Sequence, residues 1–288
     1  MAPTSDQRLI RLAVRCRPEL AERVLAELVT LAPGGVEEER GMGYVEFAIY
    51  GPPGELPELP DLQAAAGEAL VEVTSTEVPE DWADRWQDFH EPLLVGGRLW
   101  VRPSWEEPRP GTIDVVIDPG RAFGTGAHPT TMMCLELLVA LADGDAKGPL
   151  ADWGTGSGVL AIAAAKLGFG PVVACDHEPA ALEAAARNAA ANGVEVALAR
   201  VNLREEAPPA GATATANLTA PLLREVTGRM NPAPERMICS GVLASEADSV
   251  VETLARSGLV ERERRSMGDW AAISLTSPSP TAPTTTDS

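Results

Sequence analysis

Apolar and polar residues alternate along LIRLAVRC (9–16), the pattern of a strand with one buried face. PELAERVLAELVTL (18–31) then places apolar side chains at helical spacing behind an early proline, and Pro33, Gly34 and Gly35 stop it. Val36 to Tyr50 reads as strand material folded at a Gly41-Met42-Gly43 turn. A proline-rich break at Gly51-Pro52-Pro53-Gly54 precedes a helical stretch, DLQAAAGEALV (61–71), and a strand, EVTSTEV (72–78). The order strand, helix, strand, strand, helix, strand predicts a small α+β sandwich of the ferredoxin-like kind over residues 7–78.

The next stretch, residues 80–105, holds four of the six tryptophans. Trp82 and Trp86 are four apart and share a helix face, which suits aromatics bolting a linker helix to a domain. Leu99, Val101 and Pro103 suggest a short strand. From Gly148 strands and helices alternate: strands at Leu150–Trp153, Pro171–Asp176, Val194–Val201 and Thr213–Asn217, helices at Gly158–Leu167 and Pro179–Ala191. Asn192 and Gly193 stop the second helix. That rhythm predicts an α/β domain, a parallel sheet with helices on both faces. The ending SPSPTAPTTTDS lacks apolar residues to pack and predicts a disordered tail.

Composition narrows the function classes. A chain of 288 residues with 45% hydrophobic content suits two modest domains with ordinary cores. No apolar run is long enough for a bilayer, and the start lacks the features of a secretory signal, so a cytoplasmic location is expected, with no membrane. The four cysteines, Cys16, Cys134, Cys175 and Cys239, are scattered without a C-x-x-C pair. That argues for reduced, partly buried thiols and against a zinc site or a disulfide framework, and no metal is expected. A formal net charge of -19 repels phosphate backbones and favours a basic partner over direct nucleic-acid binding.

Four segments carry candidate chemistry. Asp152-Trp153-Gly154-Thr155-Gly156-Ser157-Gly158 follows a strand and opens a helix, so its backbone can approach a ligand closely. Its glycines, Gly154, Gly156 and Gly158, give G-x-G-x-G, and Val159 stands where a dinucleotide fingerprint needs glycine or alanine. No G-x-x-x-x-G-K-[ST] loop is present, so the loop favours a nucleoside without a pyrophosphate. Asp176 ends the next strand, where an acid can accept hydrogen bonds from both ribose hydroxyls, or can merely cap the helix before Pro179. Upstream, Asp118 to Thr131 (DPGRAFGTGAHPTT) ends in two threonines just before the helix MMCLELLVAL, placed to cap it and to present hydroxyls. His128 is a titrating group in this block, read as a loop residue. Asn217, in ANLTAP after a strand, offers a carboxamide to an amine or caps a turn.

In one order, DPGRAFGTGAHPTT, DWGTGSGVLAIAAAKLG, ACDHEPAALEAAARNAAANGV, ANLTAPLL and SGVL resemble the bacterial methyltransferases of large-subunit ribosomal protein eleven, the PrmA family. DWADRWQDFHEPLLVGGRLWVRPSW is similar to that family's linker. The likeness is strong over residues 80–275 and holds in outline over the first 75. It implies a class I, Rossmann-like methyltransferase sheet with a small N-terminal ferredoxin-like domain. The implied organisation is a substrate-recognition domain (1–78), a linker helix (79–92), a methyltransferase domain (93–276) and the tail (277–288). It also implies S-adenosylmethionine as cofactor and N-methylation of lysine or α-amino groups of a basic ribosomal protein; a monomer is expected. By motif position the cofactor contacts fall on Thr131, Gly154, Gly156, Gly158, Asp176 and Asn217, with Asn217 also orienting the amine. Departures from the family are Thr155 in place of the usual cysteine, Asp176-His177-Glu178-Pro179 in place of Asp-Ile-Asp-Pro, and an Asn217-to-Pro221 segment one residue short. The competing readings are a methyltransferase of another protein or a small molecule, an NAD-dependent oxidoreductase, and a binding module with a vestigial cofactor fold.

Overall fold

The computed structural model describes residues 9–21, 23–25, 28, 37–41, 43–51, 56–57, 60, 62–63, 67–78, 91–118, 128–144 and 147–277. The Trp82–Trp86 face, nearly all of the expected linker helix, residues 119–127 of the upstream block and the tail after Ser277 lie outside the described residues. The described residues fall into two compact units, one within residues 1–89 and the other from residue 90 onward.

The first unit contains β1 (Leu9–Cys16), β2 (Glu37–Gly41), β3 (Tyr44–Gly51) and β4 (Leu70–Val78). They form one sheet in the order β2-β3-β1-β4 with every neighbour antiparallel. Alternation turns Leu12, Val14 and Cys16 to the same side as Val45, Phe47 and Ile49, where they pack with Ala21, Val24, Leu28 and Leu62. The alternate positions carry charge: Glu46, buried, accepts hydrogen bonds from Arg11 and Arg15 of the neighbouring strand. Burial alone would raise the Glu46 carboxyl, but the two guanidiniums override it and hold the pKa below the usual carboxylate range. The helix expected over 61–71 ends early. Gly67, at φ 52°, opens a single 3-10 turn over Gly67–Ala69, and Leu70 already begins β4.

In the second unit the small sheet β5 (Leu93–Val95), β6 (Leu99–Arg102) and β7 (Ile113–Val116) precedes α1 (Pro129–Ala142). Strands and helices then alternate: β8 (Leu150–Trp153), α2 (Val159–Leu167), β9 (Val172–Asp176), α3 (Pro179–Asn192), β10 (Ala197–Arg200), β11 (Thr213–Asn217) and α4 (Ala220–Thr227). β12 (Arg236–Leu243), α5 (Ala247–Ala255), β13 (Val260–Met267) and β14 (Trp270–Thr276) complete the unit. The large sheet runs β10-β9-β8-β11-β12-β14-β13. Its first five strands are parallel, and β14 runs antiparallel to both β12 and β13. This is the α/β sheet expected from the sequence.

All four residues of β8 are buried, as befits a central strand covered on both faces. One face packs against α1, α2 and the small sheet through Val101, Val115, Leu135, Leu138 and Ile162; the other packs against α4 and α5 through Leu223, Val226, Val250 and Leu254. The strand expected over 194–201 is shorter, because Val194 and Val196 pack against the core as part of the connection from α3. The chain order reverses direction across the sheet between β8 and β11. Ligands of open α/β sheets bind at such a point, outside the carboxyl ends of the strands. The loops after β8, β9 and β11 meet there.

Candidate active site

The glycine loop follows β8 and depends on its glycines for shape. Gly154, Gly156 and Gly158 hold φ of 72°, 53° and 86°, the left-handed region that other residues adopt only with strain. A Cβ on Gly154 would lie 2.4 Å from Leu218 Cδ2, and one on Gly158 would lie 3.1 Å from Ala185 Cα of α3. The first glycine therefore lets the loop pass beneath the end of β11, and the third lets α2 pack closely on α3.

The loop's amide protons are used within the protein. Gly154 and Thr155 both donate to the Cys175 carbonyl at 2.9 Å, Gly158 donates to Thr155 O at 2.9 Å, and Gly156 donates to Asp176 Oδ2 at 3.0 Å. A pyrophosphate would need these donors. The Asp152 carboxylate lies close to the Ala161 amide in the first turn of α2, so the start of that helix is also supplied with negative charge from inside. The cradle therefore fits a nucleoside and disfavours a dinucleotide, as the G-x-G-x-G spacing implied.

Asp176 stands at the end of β9 with its carboxylate largely covered. Oδ2 takes the Gly156 amide, and Oδ1 takes the Glu178 amide at 3.1 Å. Each carboxylate oxygen has a second lone pair, so Asp176 can still receive two hydroxyls. Its bond to the Glu178 amide also steadies the start of α3, although the cap position itself belongs to Glu178.

Residues far apart in sequence meet at the neighbouring strand end. Asn217, half-buried at the end of β11, donates through Nδ2 to Thr131 Oγ1 at 3.1 Å. The two threonines do not precede α1 as caps. Pro129 occupies the first turn, so Thr130 and Thr131 are already helical and His128 is the cap. The His128 Nδ1 accepts the Thr130 amide at 3.3 Å and lies 2.7 Å from Thr130 Oγ1. A ring nitrogen that accepts an amide proton carries none itself, so the neutral ring holds its proton on Nε2. Burial lowers the His128 pKa, which keeps the ring neutral.

Sequence reading missed three features of the site. Asp152, 1% exposed, accepts hydroxyl protons from Thr155 and Thr215, each at 2.6 Å. Burial raises its pKa to about 6, against those two hydrogen bonds. The signal was an acid two residues before the first glycine, with a threonine two residues before Asn217. Asn188 and Asn192 of α3 form the second feature. Asn188 Nδ2 donates to Ser157 O of the glycine loop at 2.9 Å, and its Oδ1 accepts the Asp118 amide at 3.3 Å. Asn192 exchanges two bonds with Val116, accepting its amide at 2.9 Å and donating to its carbonyl at 2.6 Å. The third is Gly241, at φ 82°, where β12 shifts register and where a Cβ would meet Leu218 O at 2.5 Å. It allows β12 to approach the backbone just after Asn217. All four cysteines are buried thiols, with Cys175 and Cys239 pushed by burial to about 12. No described helix is long and apolar enough to cross a membrane.

The family model for ribosomal protein L11 methyltransferase (PrmA) matches residues 58–278. A ribosomal protein L11 methyltransferase from Pelotomaculum thermopropionicum is 41% identical over 215 residues, which cover 72% of this chain and 69% of that protein. One from Symbiobacterium thermophilum is 39% identical over 200 residues, covering 67% of this chain and 65% of that protein. Such matches span about two thirds of the relatives' own length. The crystal structure of ribosomal protein L11 methylase from Lactobacillus delbrueckii subsp. bulgaricus superimposes with a TM-score of 0.56 at 29% identity, covering 62% of this chain and 95% of that one. The family match, the α/β sheet and the likeness to that structure agree: the chain belongs to the ribosomal protein L11 methyltransferase family.

Proposed function

We propose that the chain is an S-adenosylmethionine-dependent protein methyltransferase that N-methylates lysine side-chain amines, an α-amine, or both, on a large-subunit ribosomal protein. One observation carries the cofactor assignment: a G-x-G-x-G loop whose amides close on Cys175, Thr155 and Asp176, leaving a nucleoside cradle without a phosphate site. The same observation sets aside the oxidoreductase reading. Gly154, Gly156 and Gly158 shape the cradle, Asp176 receives the ribose hydroxyls, and Thr131 with Asn217 supports the amino-acid end.

The bound cofactor supplies a methyl group already activated on a sulfonium. The protein's work is therefore positioning. The acceptor amine must arrive neutral, whereas free lysine has a pKa of roughly 10.4. A site closed from water disfavours the ammonium form and lowers that value. Asn217 is the residue we assign to orient the amine; Thr131 holds the carboxamide that does so. His128 is unsuited to take the proton, since its Nδ1 is committed to the cap and its Nε2 already bears hydrogen.

The domain within residues 1–78 reads the ribosomal protein, residues 79–92 link it, and residues 93–276 carry the chemistry. A chain of net charge -19 draws a basic protein toward it. The enzyme acts in the cytoplasm as a monomer, with no direct contact to nucleic acid. Purified chain, tritiated donor and recombinant ribosomal protein test the whole reading: label is expected in the protein, and its absence refutes the substrate. Asp176→Ala tests the site. Losing hydrogen bonds to a charged acceptor removes about 1.5–3 kcal/mol, or roughly 10- to 150-fold in S-adenosylhomocysteine affinity by calorimetry. Unchanged affinity would remove Asp176 from the site.

A further inference from the structure

Asp152 is buried beneath the glycine loop, yet no ligand need touch it. Its carboxylate is held from two elements. Thr155 of the loop donates to Oδ2 and Thr215 of β11 donates to Oδ1, both at 2.6 Å. Thr215 lies two residues before Asn217, so both side chains share one face of β11. Thr155 lies between Gly154 and Gly156, whose amides fix the loop to β9. The carboxylate thus joins the two halves of the site at the point where the chain order reverses.

We propose that Asp152 is a positioning residue whose ionised carboxylate, gripped by Thr155 and Thr215, locks the glycine loop to β11 in the cofactor-binding geometry. This rests on the function proposed above. An ionised carboxylate can accept from both donors at once. Once protonated it must itself donate, and one of the two ties is weakened. Burial has already moved the carboxyl to about 6, so the change falls in mildly acid solution. Among the described residues the groups facing it add no cation: Asp176 and Cys175 of β9 and Cys134 of α1 interact with it, and the first of these opposes its ionisation. Thr155 gives the lock a property of its own. A hydroxyl is a stronger donor than a thiol, so threonine here ties the loop more firmly than cysteine would.

Calorimetric titration of the intact apo chain with S-adenosylhomocysteine, from pH 5 to 8, tests the lock. Wild-type affinity is expected to fall roughly tenfold between neutrality and one unit below the carboxyl's pKa. Asp152→Asn should abolish that fall. Thr155→Val should weaken binding at neutral pH by roughly tenfold, Thr155→Ser should restore it, and Thr155→Cys should lie between. Melting curves of each variant identify loss of fold, and Thr155→Ser with Thr155→Cys keeps the test valid if Thr155→Val is unstable. Asp152→Asn with the full wild-type pH dependence, or Thr155→Val and Thr155→Cys binding as tightly as wild type, overturns the lock alone. A wild-type chain that binds no S-adenosylhomocysteine at any pH overturns the proposed function and the lock with it.

Discussion

Among the described residues the two units each bury one carboxylate within their strands, and they stabilise it by opposite means. Glu46 in the small unit is held by two guanidiniums, Asp152 in the large unit by two hydroxyls. Both lose water. The charge of Arg11 and Arg15 more than offsets that loss, and the Glu46 pKa falls. Neutral donors do not offset it, and the Asp152 pKa rises to about 6. Burial by itself therefore does not decide the sign; the charge of the partner does. A group with a depressed folded pKa stabilises the fold above its unfolded value, and this is lost as pH falls through the folded one. A carboxyl with a raised folded pKa behaves oppositely, since its stabilising effect is present below the unfolded value and is lost as pH rises toward about 6. Glu46 serves the fold at neutral pH, whereas Asp152 weakens it there, as expected of a group kept for the site.

The contrast can be broken most severely by removing one unit. A chain lacking residues 1–75 should still bind S-adenosylhomocysteine but transfer no label to ribosomal protein; transfer at the full rate would show that the small unit is not the reader. Next in size is Asp152→Asn. From 3.8 to about 6 is roughly two units, so relief of the buried charge should raise stability at pH 7.5 by up to about 3 kcal/mol and leave it unchanged near pH 3. Urea unfolding at both pH values measures this, and a loss of stability at pH 7.5 would contradict the reading. Glu46→Gln should move the small unit the other way, by about 1–2 kcal/mol at pH 7. Hydrogen exchange of the β1 and β3 amides reports it, and S-adenosylhomocysteine affinity should not change. The smallest effect is that of salt. Arg11 and Arg15 are partly open to solvent, so 0.5 M sodium chloride, at roughly three times physiological ionic strength, should shrink the Glu46 contribution by a few tenths of a kcal/mol. The Asp152 effect, with no cation beside it among the described residues, should stay constant; equal salt sensitivity would dissolve the distinction.

The sequence was most legible where backbone geometry dictates residue type. Glycines at three left-handed positions and an acid at the next strand end marked the loop and Asp176 before any coordinates. Short elements were lost: β5 and β7 have three and four residues, too few for a period to register. The chain after Asn217 was not parsed into elements, although β12, β13 and β14 complete the sheet. The α1 start was misplaced because threonine is a frequent cap, whereas Pro129 and the His128 ring had already taken that task. Asp152 looked like part of a glycine motif. Its meaning depends on Thr215, which lies 63 residues away and is brought to it only by the pairing of β8 with β11.

Asn188 and Asn192 are four apart on α3, while the amides they meet, Asp118 and Val116, are two apart on extended chain. A helical step of four spans about 6 Å and an extended step of two about 6.6 Å, so the carboxamides can impersonate a neighbouring strand. Asn192 even exchanges both bonds with Val116, as paired residues of an antiparallel ladder do. The end of the outer edge of β7, at Val116, is thereby closed by side chains instead of backbone. An open edge invites strands from other molecules and, with them, aggregation. Here a helix supplies the protection, and a crowded cell meets no vacant ladder at Val116.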